Sequence, residues 1–244
     1  MTSKHALKHN TELGNELKKR LKGEVHFDRM TRALYATDAS IYQMDPIGVV
    51  FPKDVEDVVN TVTFAASQGI PVLPRGGGTG LAGQTVNHAV VMDFSRNMNH
   101  LSEMNAEGGW AWVEPGIVLD QLSALGAPHG LKFAPDPSTT NRGNIGGAIG
   151  NNSCGARSIV YGKTLDHVLE LEVVLADGSM TSFKELTSAE LDAKLALLFG
   201  PSRVLEGLLL CACGFDLCRG FRFDALLLHR LQLAEGEEDT VFGF

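Results

Sequence analysis

The sequence predicts an α+β fold in two parts, and three observations carry that expectation. Residues 45–94 read strand, helix, strand, loop, strand, the order of a small α/β unit. From Trp110 onward the strand-like runs are separated by turn signals, which points to a larger half with antiparallel pairing. Each half also carries a tract so rich in glycine that its backbone must bend sharply or lie against something closely.

The elements follow in order. Residues 1–34 are polar, with Leu13, Leu17 and Leu21 at i, i+4, i+8, and read as a helical extension packed on the domain edge. Ile47 to Phe51 is an apolar strand closed by Pro52. Asp54 has the character of an N-cap for a helix that carries Val55, Val58, Val59 and Val62 on one face and stops at Gly69. Ile70 to Leu73 is a strand leading into the first glycine tract, and Ala89 to Phe94 is the strand leaving it. Trp110 to Glu114 alternates as a strand, Pro115-Gly116 turns the chain, and Val118, Leu119, Leu122 and Leu125 share a helical face. A long irregular tract follows, Phe133 to Gly155. Val168 to Leu175 is strongly β, and Asp177-Gly178 is a hairpin signal that makes Met180 to Phe183 its partner strand.

The first tract, Pro71 to Gln84, reads PVLPRGGGTGLAGQ and places Gly76, Gly77, Gly78, Gly80 and Gly83 within eight residues. Successive backbone N–H groups in such a turn form an anion-binding concavity, and a pyrophosphate is the expected anion. Flexible linkers are Gly/Ser mixtures without flanking apolar strands, so a linker fits less well. Gly78 to Gly83 also matches G-x-G-x-x-G. That fingerprint requires a helix directly after the glycines and an acidic residue about 20 positions on. Here a strand follows and Asp93 comes too soon, which weighs against a nicotinamide-type site and weakens the reading as a Rossmann nucleotide-binding regulator. Gly162-Lys163-Thr164 looks like the end of a Walker A loop, but Arg157 stands where that motif needs glycine.

The second tract, FAPDPSTTNRGNIGGAIGNNSCG, holds Gly143, Gly146, Gly147, Gly150 and Gly155 together with Pro135 and Pro137. Loops of this length inside a domain are uncommon and usually functional. Two such tracts about 70 residues apart would face each other across one elongated ligand, as a dinucleotide with a large aromatic head requires. The first would hold the pyrophosphate, and Ser138, Thr139, Asn144, Asn151, Asn152 and Ser153 would supply donors and acceptors from the second. Taken singly, Thr140 or Asn144 reads as a turn-former; Asn151-Asn152-Ser153 beside Gly150 and Gly155 is harder to explain that way.

The chain has 244 residues and a net charge of −8, which argues against nucleic acid or an acidic membrane surface as the main partner. Four cysteines, Cys154, Cys211, Cys213 and Cys218, are too few and too clustered for a disulfide framework, and a reducing cytoplasm is expected. The N-terminus lacks the apolar segment of a secretory signal, and no run is long enough to span a bilayer.

PVLPRGGGTGLAGQ, together with APDPSTTNRGNIGGAIGNNSCGARSIVYGKTLDHVLELEVVLADG, resembles the FAD-binding domain of the PCMH-type, vanillyl-alcohol-oxidase superfamily. Within it the sequence is most similar to the D-lactate dehydrogenase/glycolate oxidase branch. YATDASIYQMDPIGVVFPKDVEDVV and the Asn-Asn-Ser-Cys-Gly run resemble large flavoproteins that carry an iron–sulfur domain after the FAD domain. The likeness covers about residues 27–190 and implies an FAD-binding domain over 35–194, with FAD between two α+β subdomains. It implies that Arg75, Gly76, Gly77, Gly78, Thr79, Gly80, Gly83 and Gln84 sit on the pyrophosphate. Pro135, Asp136, Ser138, Thr139, Gly143, Asn144, Gly146, Gly147, Asn151, Asn152, Ser153 and Gly155 would line the flavin and ribityl side. The implied chemistry is hydride transfer from a D-lactate-like 2-hydroxy acid to flavin, with electrons passed to an acceptor. Some relatives attach FAD through a histidine in the glycine loop. No histidine lies between Pro71 and Gln84, so FAD is expected to be non-covalent, and His88 reads as a turn residue.

From about Leu195 the sequence departs from that family, and residues 195–244 are expected to be a divergent tail that need not fold natively. Cys211, Cys213 and Cys218 lack ferredoxin or zinc-site spacing, so no metal site is expected and any iron–sulfur cluster would belong to a missing C-terminal part. His229 reads as a surface residue. The expectation is a truncated, frame-shifted or split flavoprotein whose cap and iron–sulfur domains lie on another chain, or an FAD-binding fragment without catalysis. The acid–base residues of such enzymes lie in the cap, so no catalytic residue is assigned. Arg157, Tyr161 and Lys163 follow the second tract and suit packing or surface roles as well as flavin contact.

Overall fold

Val49 and Val50 are both fully buried although successive residues of a strand face opposite ways. The sheet that holds them is therefore covered on both faces. The structure is a computed structural model that describes residues 3–198, 225–232 and 234–235. The chain runs α1 (Ser3–Arg20), β1 (Glu24–His26), α2 (Arg29–Leu34), β2 (Gly48–Phe51), α3 (Val55–Ser67), β3 (Val72–Arg75), β4 (Val90–Asp93), β5 (Leu101–Asn105) and β6 (Trp110–Val113). It continues through α4 (Leu119–Gly126), β7 (Leu131–Lys132), α5 (Ile145–Gly150), α6 (Ser158–Tyr161), β8 (Val168–Val174), β9 (Met180–Lys184), α7 (Ser188–Leu198), β10 (Ala225–Gln232) and β11 (Ala234–Glu235).

The first sheet has the order β1-β2-β4-β3. Strands β2, β4 and β3 are parallel, with Val49 opposite Val91 and Leu73 also opposite Val91. One face buries Val50 and Val90 under Leu13 and Leu17 of α1, and Met92 under Val58 and Val62 of α3. The other face packs Val49, Phe51 and Val91 against Tyr35 and Leu73. Burying side chains of this size contributes about 1.5–3 kcal/mol each. Asp54 caps α3 as the sequence indicates, its carboxylate accepting the Asp57 N–H. Residues expected only as a helical extension do more than pack on an edge, because β1 pairs antiparallel with β2. Buried Asp57 accepts the N–H groups of Lys22, Gly23 and Lys53, which ties that extension to α3.

The second sheet is antiparallel, in the order β5-β6-β10-β8-β9. Helices α4 and α5 cover it through Leu119, Leu122, Ile145 and Ala148, which pack with Ala111, Val113 and Leu231. The hairpin predicted at Asp177-Gly178 is present as β8 and β9. Val174 of β8 joins the α3 core of the first unit, so the two units share apolar packing. The two-subdomain α+β architecture expected from the sequence is therefore the one present.

Four local differences have physical causes. Strand β3 begins at Val72, two residues later than expected, because Gly69 takes a left-handed φ of 65° and the Ile70 N–H still bonds back to Ala65. The tract expected to be irregular throughout contains α5, whose Ile145 and Ala148 are buried and supply the anchoring its glycines lack. Strand β5 has no clean alternation, with Ser102, Glu103 and Asn105 exposed, and is held by its pairing to β6. Of the divergent tail, the described segment 225–232 forms β10, the central strand between β6 and β8, and Leu231 is fully buried. Cys211, Cys213 and Cys218 lie outside the described residues, as does the side chain of His229, whose backbone is part of β10. Among the described residues no helix is long and apolar enough to cross a membrane.

Candidate functional site

The parallel strands β2, β4 and β3 end on one edge of the first sheet, the edge where open α/β sheets bind ligands. The first glycine tract leaves β3 at this edge. Its backbone closes on the second tract so tightly that side chains are excluded at the seam. A Cβ on Gly77 would lie 2.2 Å from the Arg142 carbonyl oxygen, and one on Gly76 would lie 2.7 Å from Asn144 Oδ1. Gln84 Nε2 donates to Asn151 Oδ1 at 2.9 Å and bridges the rims.

Between the tracts lies a narrow cleft of about 50 Å³. On one side it is lined by Gly76, Gly77, Gly78, Thr79, Gly80 and Thr85. On the other it is lined by Pro137, Thr139, Gly143, Asn144, Gly147, Ala148, Asn151 and Ser153, and Leu119 also borders it. Among the described residues, no hydrogen bond takes up the backbone N–H groups of Gly76, Gly77, Gly78, Thr79 or Gly80. Five successive donors beside a cavity are the arrangement that accepts a phosphate or diphosphate. Across the cleft a Cβ on Gly147 would meet nothing within 4 Å, so the backbone at that point borders open space.

Asn144 adds a buried polar group at the seam. Its Nδ2 donates to the Gly116 carbonyl, an acceptor that forces the amide orientation and turns Oδ1 toward Gly76. That oxygen is buried and has no hydrogen-bond partner. The turn-former reading of Asn144 is too modest, because it also joins the second tract to the turn before α4. A bare cradle, unpaired donors and an orphaned acceptor together fit a polar, phosphate-bearing ligand such as FAD.

Not every residue expected at the site lines the cleft. Arg75 turns away and donates to the carbonyls of Tyr35, Thr37 and Thr85. Gly83 takes a φ of 74° and packs under the ring of Tyr42. Asp136 pairs with Arg157 at 3.2 Å. Asn152 accepts the Leu165 N–H, and the Pro135 carbonyl accepts the Ser158 hydroxyl. Gly146 passes close over Pro115, and a Cβ on Gly155 would strike the Asp136 carbonyl at 1.7 Å. Ser138 is exposed outside the lining. Tyr161 and Lys163 also stand outside it, the Tyr161 carbonyl meeting His167 Nε2 and the Lys163 N–H donating to Asp166. His88 is exposed, with Nδ1 3.0 Å from the Asp45 carbonyl oxygen. Thr85, Leu119, Pro137 and Ala148 line the cleft without having been assigned to it from sequence. Pro137 lay within a tract already singled out, whereas nothing local marks Leu119.

Behind the first tract, the Tyr35 hydroxyl donates to Asp93 Oδ2 at 2.5 Å. Burial, and then the bond to the Asp93 carboxylate, push the Tyr35 hydroxyl well above its ordinary pKa. Asp38 is the reverse case. Burial raises its pKa, but bonds from Ser40 and Thr85 outweigh this and hold the carboxyl below its usual value. Among the described residues no group of three or more His, Cys, Asp or Glu could hold a metal ion.

Comparison with known proteins agrees with this geometry. A family described as "FAD binding domain" matches residues 46–184. The chain is 44% identical over 188 residues to a D-2-hydroxyglutarate dehydrogenase of Pseudomonas putida, covering 76% of this chain and 18% of that protein. It is 38% identical over 153 residues to glycolate oxidase subunit GlcD of Bacillus subtilis, covering 61% of this chain and 32% of the relative. A D-lactate dehydrogenase of Archaeoglobus fulgidus is 36% identical over 161 residues, with 64% and 36% covered. The chain thus spans under two fifths of the length of these relatives. In fold it is similar to 6-hydroxy-D-nicotine oxidase of Arthrobacter nicotinovorans, with a TM-score of 0.65 at 22% identity over 88% of this chain and 43% of that one. An alkyldihydroxyacetonephosphate synthase gives a TM-score of 0.69 at 17% identity, over 92% of this chain and 40% of the other. The chain belongs to the FAD binding domain family, and its two glycine tracts fall inside the matched residues.

Proposed function

We propose that this chain is the FAD-holding module of a flavin-dependent dehydrogenase of small 2-hydroxy acids. The observation that carries the reading is that Gly76 to Gly80 line the cleft closed by the second tract with backbone N–H groups that no hydrogen bond takes up among the described residues. The dehydrogenase and oxidase names of the relatives support the substrate class. When bound, FAD would supply the redox chemistry, a two-electron oxidation of a 2-hydroxy acid to a 2-oxo acid. The chain's own residues bind and orient. Gly76 to Gly80 present amide donors to the diphosphate, which neutral glycine backbone can approach more closely than any side-chain surface. Gly147, Asn151 and Ser153 form the opposite wall, and Gln84 with Asn151 holds the rims together. FAD is bound non-covalently in this reading, since the loop from Pro71 to Gln84 contains no histidine. The substrate cap, the electron acceptor and any iron–sulfur cluster are supplied from outside the described residues, and the module works in the cytoplasm.

The test is to purify the chain and measure visible flavin absorbance before and after acid precipitation. Yellow protein that releases all its flavin into the acid supernatant supports the reading. Dye reduction by D-2-hydroxyglutarate, D-lactate or glycolate would extend it to catalysis. Flavin without turnover would leave an FAD-binding fragment that is not active alone. Colourless protein that ignores added FAD would overturn the proposal.

A further inference from the structure

Arg75 stands at the start of the anion-facing loop, where a cation would ordinarily be read as a phosphate ligand. Its geometry is different. Nη1 lies 3.3 Å from the Tyr35 carbonyl oxygen and 3.0 Å from that of Thr85, and Nη2 lies 2.8 Å from that of Thr37. The guanidinium carbon sits 5.0 Å from the centroid of the Tyr35 ring. Arg75 does not line the cleft. A Cβ on Gly78 would come within 2.7 Å of Arg75 Nη2, which places the guanidinium close behind the turn of the loop.

The three carbonyls belong to two places. Thr85 ends the loop that Arg75 begins, so one bond closes the loop on itself. Tyr35 and Thr37 belong to a strap, residues 35–44, that passes behind it and is closed by the bridge between Thr37 and Gln43. The strap grips the loop at further points. The Ala39 N–H donates to the Gly78 carbonyl at 3.0 Å, and the Thr85 hydroxyl donates to Asp38 Oδ2 at 2.7 Å. Because a trans peptide points its C=O and N–H in opposite directions, pinning the Gly78 carbonyl on the strap side turns the Thr79 N–H away from the strap.

We infer that Arg75 is a positioning residue that locks the loop against the strap and so orients the loop's amide donors, and is not itself a ligand of the phosphates. The inference rests on the proposed FAD site and extends it to the strap. A planar fork of donors matches carbonyls lying in different directions, whereas a lysine ammonium keeps the charge and loses the fork. Charge alone is therefore insufficient at this position.

The experiment uses the full chain with Arg75→Lys, Asp38→Asn and the double variant. Hydrogen exchange without ligand is measured for the Ala39 amide, which the Gly78 carbonyl holds, and for the amides of α3, and affinities are measured for FAD and for riboflavin, which lacks phosphate. In Arg75→Lys the Ala39 amide is expected to exchange about tenfold faster with α3 unchanged. FAD affinity is expected to fall about tenfold while riboflavin affinity changes less than about twofold. The double variant is expected to be no worse than Arg75→Lys, because both act on the same loop–strap contact. Unchanged Ala39 exchange with weakened FAD, or additive losses in the double variant, would mean a direct phosphate contact and would overturn the inference. Equal acceleration of α3 would mean general destabilisation and overturn it too. If Arg75→Lys does not fold, Asp38→Asn must by itself accelerate the Ala39 amide, or the inference fails. Should the wild-type chain bind no FAD, the proposed function falls while the exchange data still decide the role of Arg75.

Discussion

Gln84 and Asn151 lie 67 residues apart and share one hydrogen bond, with Gln84 Nε2 donating to Asn151 Oδ1 at 2.9 Å. It is the side-chain link between the two glycine tracts at the cleft rim, and both residues are exposed. An exposed bond of this kind contributes about 0.5–1.5 kcal/mol at most. Gln84→Leu is therefore expected to weaken FAD by up to about tenfold with almost no change in melting temperature. Titration of the apo-protein with FAD beside a thermal melt checks this, and a large fall in melting temperature would refute it.

Gly147 separates folding from binding. Gly147 lines the cleft and a Cβ there meets nothing within 4 Å, and glycine within a helix costs about 1 kcal/mol relative to a good helix former. Gly147→Leu is expected to keep or raise the melting temperature while abolishing FAD retention. Gly77→Ala should lose both, because its Cβ would strike the Arg142 carbonyl oxygen at 2.2 Å. Flavin content and melting temperature measured on the two variants distinguish them.

Asp38 is expected to make flavin retention sensitive to acid. Its folded pKa is depressed, so its contribution is fully present above the unfolded carboxyl value of about 3.9. That contribution is lost as pH falls through the lower folded value. FAD release is expected to steepen below about pH 4, and Asp38→Asn should bind more weakly at neutral pH with a shallower acid dependence. Flavin fluorescence followed through an acid titration reads both slopes. Parallel curves for the two proteins would show that Asp38 is not the group responsible.

Leu231 connects the divergent tail to the core. It is fully buried in the cluster that contains Leu122 and Ile145, on the strand that lies between β6 and β8. Leu231→Ala is expected to destabilise the chain by about 2–5 kcal/mol. Deleting residues 225–244 should leave β6 and β8 with unpaired edges and cause aggregation. Chemical denaturation and size-exclusion chromatography test the two expectations, and a soluble, cooperatively folding deletion would remove β10 from any structural role.

Much of this protein was legible in the sequence because the signals were local. Asp54 and Gly69 bracket α3, Asp177-Gly178 turns β8 into β9, and a run of glycines after an apolar strand marks a backbone left bare for a ligand. These features depend on covalent preferences of φ and on periodic apolar spacing, which act over a few residues. Tertiary structure alone decided the rest. Arg75 looks like a phosphate ligand until two carbonyls of the strap and that of Thr85 are found behind it, and Asn144 looks like a turn residue until Gly116 fixes its amide. Strand β10 has its place only because β6 and β8 leave a gap that antiparallel hydrogen bonding must fill. Those outcomes depend on partners tens of residues away, and no local preference along the chain encodes which partner will be there.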